Sequence, residues 1–381
     1  MQFKDIAGQL SVKKHLIHTV TQNRVSHAQL FLGPEGSGSL ALAIAYAQYI
    51  CCTHKLPDDA CGQCASCNKY QKLIHPDLHF SFPFFAKDKD DVASNYIADW
   101  RHAIIKNHYL GLDAWRYHLN VDNKQFNINI AESHHIISRL SLKPFEAEFK
   151  IMIMWLPEYL VSAGNALLKI IEEPADKTLF LLVAQNQDQL LNTIISRTQI
   201  VKIPKLSDTD VVNFLTIQKN IATNKAQQIA YLSNGNLHTA QEYMAHEENN
   251  YCETFITWMR YCVQNRGIEM INYVDELAKM GRENQKNFFK YGINLMREAV
   301  LCLSDMPALV HLPEKELDFI SKFAKILTLA KAQSIATEFE KAHYHIERNA
   351  NPKILFLDVS LMLIKLLKFN TFPAGTQHIL I

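Results

Sequence analysis

The chain lacks any excess of charge. Lys and Arg number 39 against 38 Asp and Glu, a net charge of +1. That balance argues against a free-standing nucleic-acid-binding protein, which carries a strong basic excess. It does not speak against DNA contact within a larger assembly. The chain also lacks a run approaching the roughly 18 apolar residues of a membrane span. Its most apolar stretch, ILFLDVSLMLIKLLK, is interrupted by Asp358 and Lys365. The N-terminal MQFKDIAGQL has acidic and polar residues where a signal peptide needs an apolar core. A soluble cytoplasmic protein is the expectation. No internal repeat is present. What the chain does have is apolar residue, 48% of 381, enough for two or three domains with sizeable cores.

The stretch FLGPEGSGSLALAIAYAQYI, residues 31–50, starts like a phosphate-binding loop, Gly-x-x-x-x-Gly-Lys-[Ser/Thr]. Gly33, Gly36 and Gly38 fall where such a loop needs them, but Ser39 stands at the lysine position and Leu40 at the Ser/Thr position. The context is right: AQLFL (28–32) reads as a strand before the glycines, and SLALAIAYAQYI as a helix after them. KIMIMW (150–155) and LFLLVA (179–184) read as further buried strands, with the helical pattern SAGNALLKIIEEP between them. Strands alternating with helices predict an α/β domain with a parallel sheet flanked by helices. After about residue 205 the strand signals mostly stop. Ser207 and Asp210 form a capping box for the next helix, and NKAQQIAYLSNG reads as a helix stopped at Gly235. From about 248 onward the chain reads as long amphipathic helices. The stretch 82–128 follows no clear period and reads as an insertion.

Five of the eight cysteines lie between positions 51 and 67. Such clustering suggests metal rather than disulfides. Cys52, Cys61, Cys64 and Cys67 have the spacing C-x8-C-x2-C-x2-C, and four thiolates suit tetrahedral zinc in a closed structural site. The trio Cys61, Cys64, Cys67 also resembles the start of an iron–sulfur run, C-x2-C-x2-C-x3-C-P, but position 71 is Gln71. Cys51 competes with Cys52 as first ligand. Its place on the apolar stripe of the preceding helix favours a core thiol. Cys252, Cys262 and Cys302 stand alone in helical segments and read as core.

FKDIAGQLSVKKHL, SHAQLFLGPEGSG, the cysteine cluster, GNALLKIIEEP and LLNTIISRTQ follow one another at suitable intervals. Together they resemble the clamp-loader branch of the AAA+ ATPases, as found in bacterial DNA polymerase III. The likeness covers residues 1 to about 245 and extends weakly to ERNANPKILFLDVSLML. It implies an AAA+ core over 1–205 that carries a zinc module (52–67) and the insertion (about 82–128). A small helical lid over 206–247 and an all-α collar over 248–381 would follow. It implies zinc on the four cysteines. It also implies partners: the tau/gamma ATPase subunits, a delta subunit, the sliding clamp, and primed DNA through the complex.

An ATPase of this family needs an acidic pair after the strand 150–154, where this chain has Trp155 and Leu156; Glu158 is three residues late and follows Pro157. A charge pair near a surface is worth up to about 4 kcal/mol, and a missing lysine forfeits it. The resemblance therefore implies a subunit that does not bind ATP usefully, its glycines serving as a strand-to-helix turn. Ser196-Arg197 matches the pair that in this family faces the neighbouring subunit, with the arginine reaching the neighbour's ATP as a finger in trans. Thr198 stands where the family usually has cysteine. Competing readings are an active AAA+ ATPase subunit of the same loader, with Glu158 as the carboxylate, and a free-standing zinc DNA-binding protein. The C-terminal helix is apolar nearly all round, which fits a bundle core and a subunit interface equally.

Overall fold

The computed structural model describes residues 1–371 apart from 122–123, 246–250, 265, 305, 307–309 and 311. These form two compact units, Met1–Tyr243 and Met244–Ile381. The expected lid–collar boundary at 247–248 lies outside the described residues.

The first unit is built on a five-stranded parallel sheet: β1 Ala28–Leu32, β2 Leu78–Ser81, β3 Lys150–Trp155, β4 Thr178–Ala184 and β5 Gln199–Lys202, in the order β2-β3-β4-β1-β5. The continuous apolar runs of β3 and β4 follow from burial on both faces. Ile151, Ile153 and Trp155 of β3, with Leu179, Leu181 and Val183 of β4, turn to one core. Their alternates Met152, Met154, Phe180, Leu182 and Ala184 turn to a second, as the two-residue period of a strand requires. The helices are α1 Leu10–Thr21, α2 Ser39–Ile50, α3 Ala65–Gln71, α4 Ile97–Lys106, α5 Leu112–His118, α6 Ile130–Leu140, α7 Gly164–Glu172, α8 Asn192–Ile195, α9 Asp208–Asn213, α10 Thr223–Ser233 and α11 Leu237–Ala245. All twelve residues of α2 are buried. Its one amide side chain, Gln48, accepts a hydrogen bond through Oε1 from the Met1 amino terminus at 3.0 Å, which offsets part of the cost of burying it. Ser207 and Asp210 form the expected capping box on α9.

The stretch 82–128 carries α4 and α5, and its aromatic residues complete the first core. Phe82 stacks on Trp100 with centroids 4.2 Å apart. Trp115 meets Trp100 edge-on at 5.2 Å and donates its indole N–H to the Pro83 carbonyl at 2.9 Å. Trp100 in turn lies 5.0 Å from Trp155 at the end of β3.

The second unit is helical: α12 Tyr251–Gln264, α13 Gly267–Lys279, α14 Arg282–Leu303, α15 Glu314–Phe323, α16 Leu329–Glu347 and α17 Pro352–Phe369. Trp258 stands at the centre of its core, among Phe288, Phe289, Phe339 and Phe356. Its N–H donates to Ser360 Oγ at 2.8 Å. Cys262 is buried in this core, with Cys252 and Cys302 at its margin. The apolar α17 divides: Phe356, Val359, Leu363, Ile364 and Leu366 are buried, while Ile354 and Leu361 are exposed. Among the described residues no helix is long and apolar enough to cross a membrane.

Trp100 is fully buried and joins three other aromatic residues of the first core, Phe82, Trp115 and Trp155. Trp100→Ala should therefore lower the unfolding free energy of the first unit by about 3–5 kcal/mol. Denaturant titration followed by far-ultraviolet circular dichroism checks this; a loss below about 1 kcal/mol would show that the aromatic cluster is peripheral.

Candidate functional site

Ligands of open parallel sheets bind beyond the C-terminal ends of the strands; the glycine loop and Trp155–Glu158 lie at that edge, while Arg197, just before β5, lies at the other. The glycine loop follows β1, which lies between β4 and β5. Gly36 (φ 72°) and Gly38 (φ 87°) take left-handed backbone conformations that favour glycine. Gly38 caps α2, which starts at Ser39. Gly33 lies tight against Ser39 Oγ and the Ile203 carbonyl, with no room for a Cβ. The geometry is that of a strand–glycine turn–helix unit.

The side chains at this edge are not those of a nucleotide grip. Ser39 Oγ is 2.9 Å from Ser37 Oγ, and both residues are buried. Leu40 is buried in the first core. At the end of β3, Trp155 is buried against Trp100, and Leu156 follows in a left-handed conformation (φ 54°). Glu158 turns to the end of β4: its Oε1 accepts the amides of Gln185 at 2.6 Å and Asn186 at 2.9 Å. Burial pushes its carboxyl up, against the opposing pull of those amides.

Arg197 lies just past α8. Its Nε donates to Glu172 Oε2 at 2.7 Å, and its Nη1 to the Thr193 carbonyl at 3.1 Å. The pair is at the surface, with the arginine side chain 31% and the glutamate 55% exposed. Glu172 was not singled out in the sequence. The EEP motif that contains it was visible, but the pairing joins residues 25 positions apart.

The four cysteines Cys52, Cys61, Cys64 and Cys67 converge, with their sulfurs all within 4.8 Å of one another. A zinc tetrahedron with Zn–S of about 2.3 Å sets S–S distances of about 3.8 Å, and Cys61 and Cys67 are 3.8 Å apart. Backbone amides point at the sulfurs: Cys61 N–H at Cys52, Gln63 and Cys64 N–H at Cys61, and Cys67 N–H at Cys64, all at 3.3–3.4 Å. Such bonds favour thiolates. Burial opposes ionisation of Cys64, but hydrogen bonds from Thr53 and Cys67 outweigh it and bring the thiol down to about 5. Burial and its sulfur neighbours push Cys67 up. Four sulfurs this close repel one another once ionised, so the donor set calls for a cation. Cys51 turns away: its thiol donates to the Phe149 carbonyl at 3.7 Å, and burial raises it to about 11.

The cluster is fastened to the chain's N-terminal segment. Asp59 accepts the amides of Phe3 and Lys4, each at 3.0 Å, and Gln2 donates to the Ala60 carbonyl. Cys52 follows directly on the C-cap of α2, while Cys64 caps α3 and Cys67 lies within it. A metal on these sulfurs would join the end of one helix to the start of the next. It would have no open position for a reacting ligand.

Residues 8–207 match the family described as "DNA polymerase III, delta subunit". Among curated relatives, the chain is 25% identical over 223 residues to DNA polymerase III subunit delta' of Bacillus subtilis, covering 58% of this chain and 55% of that one. It is 26% identical over 257 residues to subunit delta' of Haemophilus influenzae, 66% of each chain. It is 24% identical over 252 residues to subunit gamma of Buchnera aphidicola (from Acyrthosiphon pisum), 65% of this chain and 59% of that one. The matches thus span between about half and two thirds of these relatives' own length.

Proposed function

This chain belongs to the family of the DNA polymerase III delta subunit, and from that premise we propose that it is a non-catalytic, delta-prime-type subunit of a clamp loader. It would help ATP-driven loading of a sliding clamp onto primed DNA, beside ATPase subunits of the tau/gamma type and a delta subunit. In this reading 1–205 is the AAA+ core, 206–247 the lid and 248–381 the collar. One observation carries the reading. Arg197 is kept at the surface beyond α8, while the lysine position of the chain's own loop is Ser39 and its acid position is the buried Trp155.

Arg197 then serves a neighbour's ATP. Charge builds on the oxygens of a transferred phosphoryl group, and a planar guanidinium can contact two of them. Its ion pair with Glu172 does not oppose this. Surface pairs are worth about 0–1 kcal/mol, so the arginine can exchange a carboxylate for a more highly charged phosphate. The alternative of an active ATPase would need a carboxylate at Trp155 or a free Glu158, and Glu158 Oε1 is taken by two amides.

Cys52, Cys61, Cys64 and Cys67 would hold one zinc ion, whose chemistry here is structural. It neutralises the thiolates and fixes the turn between α2 and α3. Metal binding of this kind contributes about 10–16 kcal/mol in small modules.

Two experiments follow. In a reconstituted loader, Arg197→Ala should leave this chain folded and assembled, yet slow ATP hydrolysis at the site it contacts by about 10³–10⁵, equivalent to about 4–7 kcal/mol. Clamp loading at the normal rate by that complex would remove the finger assignment. Elemental analysis should find about one zinc per purified chain, retained in Cys51→Ala and lost in Cys64→Ser. Iron in place of zinc, or zinc kept in Cys64→Ser, would contradict the site.

A further inference from the structure

Residues Asn107–Gly111, within the stretch that showed no period, pass directly over the glycine loop. Tyr109 is 4% exposed. Its hydroxyl oxygen accepts the Ala7 N–H at 2.8 Å, and its ring meets the edge of Phe214 with centroids 5.4 Å apart at 80°. A Cβ placed on Gly38 would stand 3.1 Å from Tyr109 Cε1 and 3.4 Å from Ile6 Cγ2, so the ring rests on the backbone of the loop itself. Asn107 Oδ1 accepts the Tyr109 N–H at 2.9 Å and sets the turn. Two residues on, Gly111 lies so near Glu35 and His238 that a side chain there would collide with both.

The loop responds as a filled site does. Ser37 is fully buried, and Ser39 and Leu40 are 7% and 6% exposed. In a working cradle these positions face the ligand. The loop's carbonyls are also engaged: Gly36 O accepts the Leu237 N–H at 3.2 Å, and Ser37 O accepts Gln9 Nε2 at 3.1 Å. A phenol ring from the chain's own sequence thus rests on the Gly38 backbone, meets a second aromatic edge-on and accepts from a backbone amide.

We infer that Asn107–Gly111 is a built-in plug, in which Tyr109 takes the place of a nucleotide over residues 36–40 and ties that loop to Ala7 and Phe214. The plug accounts for a cradle that keeps Gly38 without a ligand, because that glycine admits the tyrosine. It gives the stretch 82–128 a second task besides completing the aromatic core. The inference rests on reading residues 33–40 as a degenerate phosphate cradle, and the test separates the two.

The test uses the full chain and two readouts. By hydrogen exchange, the amides of Ser37–Leu40 should exchange about tenfold faster or more in Tyr109→Ala, while those of β3 and β4 keep their protection. Tyr109→Phe, which keeps the ring, should leave the loop protected and speed exchange of the Ala7 amide alone. The second readout is Mg-ATP binding by calorimetry after Ser39→Lys and Leu40→Thr restore the two missing side chains. With Tyr109 present this chain should not bind, and adding Tyr109→Ala should raise its affinity about tenfold or more. Measurable ATP binding of equal affinity with and without Tyr109, or an unchanged Ala7 amide in Tyr109→Phe, would overturn the plug. Opened loop amides in Tyr109→Ala without ATP binding by the triple variant would uphold the plug and defeat the reading of the loop as a phosphate cradle.

Discussion

Trp155 ends β3 at the place where a hydrolytic site of this kind would need a carboxylate, and it lies 5.0 Å from Trp100. Much of the first unit depends on that contact. Trp100 carries Phe82 and Trp115 with it, so the stretch 82–128 is attached to the sheet through Trp155. An aspartate placed at 155 would put an unpaired charge among buried rings, at a cost of several kcal/mol. The same stretch delivers Tyr109 to the glycine loop.

The cysteine cluster and the second unit show the same habit of fixing a fold through a few buried links of long sequence range. The cluster joins α2 to α3 and, through Asp59, holds the N-terminal segment, 56 residues away in sequence for the bond to Phe3. In the second unit Trp258 bonds Ser360 across 102 positions and is packed among phenylalanines of three other helices. In each case an aromatic or polar side chain with satisfied hydrogen bonds pins distant segments, which specifies one arrangement more sharply than aliphatic packing alone.

The central strands were legible because burial on both faces leaves only their first residues, Lys150 and Thr178, polar: KIMIMW and LFLLVA match β3 and β4 within a residue. The two edge strands were missed. LHFS and QIVK span four residues each and mix polar with apolar residues, too short for a clear period. The stretch 82–128 showed no period because its tryptophans pack on the sheet and on one another, and α4 and α5 span only 10 and 7 residues. Spacing pointed to the four cysteines, but the choice between adjacent Cys51 and Cys52 needed geometry: Cys51 bonds the Phe149 carbonyl, 98 positions away. Tyr109 was invisible for a similar reason, since nothing local ties it to Ala7. The two faces of α17 were also hidden, because sequence alone cannot say which apolar side a bundle will cover.

The central claim is that the first unit keeps the shape of a nucleotide-binding core while its own residues fill the site. Calorimetric titration of the unmodified chain with Mg-ATP tests it most directly. The account predicts no binding heat up to about millimolar nucleotide, a free energy weaker than about −4 kcal/mol. Saturable binding with a micromolar Kd would contradict it.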